Sequence, residues 1–117
     1  MKASHAVKRF IEDLLEKVPA LVPIYDEHLR DYDTLIPHVF LGDVTRFVVA
    51  LVNESPLSNE LKAVLDVLEV AMSKEDEEIS ELISVSFLEN LIGEVRLEDI
   101  KIMLGKNLLC ELSKKNI

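Results

Sequence analysis

The sequence is poor in the residues that many folds and catalytic sites draw on. Its 117 residues include no tryptophan, two tyrosines, four phenylalanines and three glycines. So few aromatics and glycines argue against an all-β fold and against glycine-rich phosphate loops. A lone cysteine, Cys110, can form no intramolecular disulfide, and its amphipathic setting predicts a small buried thiol. The longest unbroken apolar run, residues 47–52, is six residues, far short of a membrane span. The first residues carry charges every few positions and lack the apolar centre of a signal peptide, so the expected location is the cytoplasm. Positive charge is also scarce. Thirteen Lys and Arg face 22 Asp and Glu, a net charge of −9, the wrong sign for neutralising phosphates. A nucleic-acid binder is therefore not expected.

What is abundant is aliphatic. Nineteen Leu, 13 Val and 9 Ile in a chain this short suit one folded domain with a single core. Ser4 is placed to cap a first helix with Val7, Phe10, Ile11, Leu14, Leu15 and Val18 at helical spacing. Pro19 suits the first turn of a second helix through about Arg30, with Leu21, Val22, Tyr25 and Leu29 inward. Residues 31–41 hold a proline and no clean period, and read as irregular, with Asp43 capping a helix to about Val52. Ser58 starts the next helix, to about Met72. Ser73 and Asp76 form a capping box for another, ending near Asn90 or Leu91. Two short helices, from Arg96 to Leu104 and from Lys106 to Lys114, close the chain around Gly105. The expectation is one all-α domain of six or seven helices, layered like a short α-α superhelix. Its predicted core is Phe47, Val48, Leu51, Leu61, Leu65, Leu68, Ile79, Leu82, Ile83 and Phe87.

No motif for chemistry emerges. His5, His28 and His38 share no helix face, and neither HExxH nor paired CxxC occurs, so no metal or other cofactor is expected. Asp31-Tyr32-Asp33 opens like a calcium loop, but Ile36 and Gly42 stand where that loop needs Gly and Glu. The serines lack a GxSxG setting, and six aromatics at mostly core-like spacings furnish little for a sugar-binding cleft.

Charge placement is more informative. Residues 53–94 contain 11 acids and two bases, which accounts for the whole net charge. Part of this excess serves helix N-termini, and a solvated face is the plainer explanation of the rest. The alternative is a negative field that steers a basic partner. The candidates are Asp66 and Glu69, from a narrow polar stripe with Lys62, and Glu75, Glu77, Glu78 and Glu81 from the helix that follows. Leu88 is a candidate apolar anchor, weighed against ordinary burial between layers. Tyr32, between Asp31 and Asp33, is another candidate contact.

The segments Pro37-His38-Val39-Phe40-Leu41-Gly42-Asp43-Val44-Thr45-Arg46 and Ser84-Val85-Ser86-Phe87-Leu88-Glu89-Asn90-Leu91 resemble a family of small acidic helical bacterial proteins. That family is associated with immunity proteins of toxin–immunity pairs, including contact-dependent growth inhibition systems. The resemblance runs from about Phe10 to Leu112. It implies a turn at Gly42-Asp43 and enclosed positions for Ser86 and Asn90, and supplies no catalytic residue. It further implies a cytoplasmic, cofactor-free inhibitor that covers the active site or substrate groove of a basic toxin nuclease. A small regulatory adaptor of a non-toxin pathway and, further off, a small hydrolase are the competing expectations.

Overall fold

The computed structural model describes residues 3–115. Its helices are α1 (His5–Lys17), α2 (Val22–Tyr32), α3 (Pro37–Glu54), α4 (Asn59–Ser73), α5 (77–91), α6 (Leu97–Met103) and α7 (Lys106–Ser113). Helix α5 is continuous but not uniform: α-helical Glu77–Ile83 gives way to a π-helical turn, Ser84–Leu88, and a last α-helical turn, Glu89–Leu91. Among the described residues, the result is an all-α single domain of seven helices. Its radius of gyration of 13.3 Å equals the roughly 13 Å of a compact chain this long.

Local chemistry explains most boundaries. Ser4 and Ser58 cap α1 and α4, their side chains accepting from the amides of Val7 and Leu61. Pro19 opens only a 3₁₀ turn, Pro19–Leu21, and Pro23 sits in the first turn of α2, so Val22 is left exposed. The α4–α5 link corrects the expected capping box. Ser73 is the last residue of α4, its hydroxyl bonded to the Val70 carbonyl, and Asp76 alone caps α5 by accepting from Ile79 N–H.

The larger correction is α3. It begins at Pro37, well before Asp43, and runs unbroken through Gly42 to Glu54. Ile36, held extended by the following proline, ends a short connection, and Pro37 then supplies a pre-set first-turn φ. Phe40, Leu41, Val44, Thr45, Val48 and Val52 bury one broad face of this helix. Gly42 is therefore a buried helical residue, not a turn, and Asp43 is no cap.

The core sits where α3, α4 and α5 meet, with α1 and α7 packed against α4. Helix α4 is covered on more than one side: Leu61, Val64, Leu65, Val67, Leu68, Ala71 and Met72 are buried, while Val70 stays exposed. Phe87, Leu88 and Leu91 close the far end of α5. Of the predicted core, Phe47, Leu51 and Ile79 are only partly enclosed, and Phe40 and Leu41 take the central places instead. Cys110, expected inside, is exposed.

Candidate binding surface

The acidic residues collect where α4 hands over to α5. Glu75 adopts a left-handed backbone, φ 57°, which turns the chain sharply enough for Asp76 to cap α5 immediately afterwards. Glu77 and Glu78 then occupy the first turn, where negative charge complements the helix dipole. Glu75, Glu77, Glu78 and Glu81 are all exposed, as is Asp66 on α4. Glu78 accepts a 2.6 Å bond from the Ser4 hydroxyl, which joins the N-terminal ends of α1 and α5. Among the described residues, the carboxylates of Asp66, Glu75, Glu77 and Glu81 have neither a hydrogen bond nor an ion pair.

Two candidates from the sequence are removed from this surface. Glu69 is folded into the structure: one oxygen accepts from Asn107 N–H and Asn107 Nδ2, at 2.9 and 2.8 Å, and the other accepts from Leu108 N–H at 3.0 Å. It thus caps α7 from outside that helix. Burial alone raises the Glu69 pKa, but the bonds from Leu108 and Asn107 and the charge of Lys106 outweigh it. The carboxyl is held below its ordinary range. Leu88 is fully buried, so it is ordinary core and no anchor.

Tyr32 is exposed, at 46%. Asp31 and Asp33 are exposed beside it, Asp33 in a left-handed conformation at the end of α2. This trio does not join the α4–α5 acids. Asp31 and Tyr32 line a cleft of about 450 Å³ between α2 and α3, together with Glu27, His28, Asp43 and Arg46. Asp66 and Asp76 instead border a groove of about 580 Å³ between α1 and the α4–α5 link, whose floor includes Phe10 and Val67. That groove carries Arg9, Lys17 and Lys74 as well as Asp13, so its own walls are of mixed charge.

The structure also assembles a polar cluster that helical spacing does not reveal. His38 Nδ1 bonds the Ser86 hydroxyl across α3 and α5. The buried Thr45 hydroxyl lies 2.9 Å from the Leu41 carbonyl and 3.1 Å from that of Ser86, which also accepts from Asn90 Nδ2 at 2.8 Å. These donors serve a carbonyl in the π turn, where the ordinary i to i+4 ladder is interrupted. Ser86 is enclosed as the resemblance implies, whereas Asn90 is exposed and reaches inward through its amide. A serine beside a histidine suggests a nucleophile and base, but Ser86 is only 4% exposed. Among the described residues, no carboxylate is hydrogen-bonded to His38, and no three His, Cys, Asp or Glu side chains converge as metal ligands.

Fold and surface together describe an all-helical domain with a run of exposed acids, Glu75, Glu77, Glu78 and Glu81, at the start of α5. The chain belongs to a family described as a domain of unknown function (DUF7674), whose model matches residues 11–117. Neither the curated proteins nor the solved structures contain a match to it.

Proposed function

We propose that this protein works by binding alone, as an immunity protein that neutralises the basic nuclease domain of a cognate toxin. The acidic face at the α4–α5 junction would cover the toxin's active site or substrate groove, its carboxylates taking places meant for phosphates. The observation that carries this reading is the set Asp66, Glu75, Glu77 and Glu81: four exposed carboxylates without partners among the described residues. Charges with no hydrogen-bond or ion-pair partner among the described residues are available to another molecule, and a field of one sign accelerates encounter with an opposite one. The family resemblance in the segments 37–46 and 84–91 supplies the class of partner. No cofactor takes part, and the complex forms in the cytoplasm.

The test begins with the gene beside this one. Its product, if a basic toxin domain, should lose nuclease activity when mixed with one equivalent of this protein. A neighbour from a metabolic operon, with no toxin bound, would favour the adaptor reading and overturn this one.

A further inference from the structure

His28 lies on the inner side of α2, only 2% exposed, with its ring centroid 5.0 Å from that of Tyr32 and 5.8 Å from that of Phe40. Its Nε2 accepts a 2.9 Å hydrogen bond from the backbone N–H of Ile36, in the connection between α2 and α3. An amide can only donate, so Nε2 carries no proton and the neutral ring holds its hydrogen on Nδ1. That Nδ1 is buried and has no hydrogen-bond partner among the described residues. A second proton would set one N–H against another at Ile36 and bury a cation between two aromatic rings. Both consequences oppose the closed arrangement.

We infer that His28 is a proton-operated latch on the α2–α3 connection. Neutral, it pins Ile36 and with it the left-handed turn at Asp33; protonated, it lets go. The released ring has a place to go. The cleft it borders carries Glu27, Asp31 and Tyr32 from α2, and Asp43 and Arg46 from α3, with Arg46 paired to Asp43. Asp33 stands in the connection itself, and the 3₁₀ turn Pro19–Leu21 packed against α2 has no ionisable side chain. Carboxylates thus outnumber cations around an exposed imidazolium, while the buried position offers it none as a hydrogen-bond partner. Two arrangements of one side chain, chosen by one proton, make a switch. Its output is the order of residues 33–36 and the presentation of Tyr32 and Asp33.

The test is amide hydrogen exchange with ring-nitrogen chemical shifts on the intact protein, stepped down in pH from about 7.5 until those shifts report the imidazolium. The neutral ring should show the Nδ1–H tautomer. Ile36 should lose protection by roughly tenfold or more while Leu68 in α4 keeps its own, because the opening is local. Loss of Ile36 protection and protonation of His28 should share one midpoint. His28→Gln, whose side-chain oxygen can accept from Ile36 without titrating, should keep Ile36 protected throughout. Unchanged Ile36 protection, a midpoint different from that of His28, or the same loss in His28→Gln would each overturn the latch. The midpoint comparison needs only the parent protein, so it decides even if the variant fails to fold.

Discussion

Single side chains show how the same residue type is put to opposite uses. Glu69 and Asp66 lie one turn apart on α4, yet Glu69 is committed to the first turn of α7 and Asp66 is unpartnered among the described residues. Glu69→Ala should therefore cost about 1–3 kcal/mol, since it strips a charge-assisted cap from two backbone amides. Glu69→Gln, with one acceptor oxygen and no charge, should cost less, and chemical denaturation measures both. Its pH signature follows from the lowered pKa. The unfolded chain holds the Glu69 proton more tightly than the native one, so stability rises with pH through the ordinary glutamate range. The contribution is complete above that range, is lost as pH falls through the folded value, and should be missing from Glu69→Ala. Phe87, fully enclosed where α5 meets α3, should cost about 3–5 kcal/mol when cut to alanine. A loss of under about 1 kcal/mol would place it at a surface.

At the scale of elements, the legible parts were those whose signal is local. Serine caps at positions 4 and 58, and the two short helices around Gly105, lie where periodicity and capping chemistry put them. Residues 37–43 are not legible as helix in the sequence, because a proline and a glycine look alike whether they break a helix or begin and fill one. Tertiary packing decides, and here Phe40 and Leu41 draw the segment into the core. The two glycines separate on one physical ground. A Cβ at Gly42 would meet its nearest neighbour, Asn90 Nδ2, at 3.7 Å, ordinary contact inside a helix. Gly42→Ala should stabilise the protein by about 0.5–1 kcal/mol, read as a higher denaturation midpoint. A Cβ at Gly105 would fall 2.6 Å from Glu69 Oε1, so Gly105→Ala should displace the cap of α7 and destabilise. The bonds that tie His38 and Thr45 to Ser86 leave no trace in spacing, because they join residues 48 and 41 positions apart; only Asn90 to Ser86 is local. Glu69 was readable as polar but not as a cap, since its partners lie 38 and 39 residues away. The left-handed Glu75 was likewise hidden, being neither glycine nor asparagine.

On the scale of the whole molecule, the net charge of −9 arises from residues 53–94, and the fold leaves most of those acids on its surface. Such an excess repels itself, so it is retained at some expense to the free protein. Binding to a basic partner is the use proposed for it, with charge governing encounter and a smaller number of desolvated contacts governing residence. The direct measurement is a binding titration of the Glu77→Lys, Glu78→Lys, Glu81→Lys triple variant against the basic toxin domain, at low and moderate salt. All three positions are exposed, so circular dichroism should show the parent's helical fold. At low salt the variant should associate about 10- to 1000-fold more slowly than the parent, and the gap should narrow as salt screens the field. A variant that binds and protects like the parent at both salt concentrations would make the α5 acids a solvated face and contradict the account.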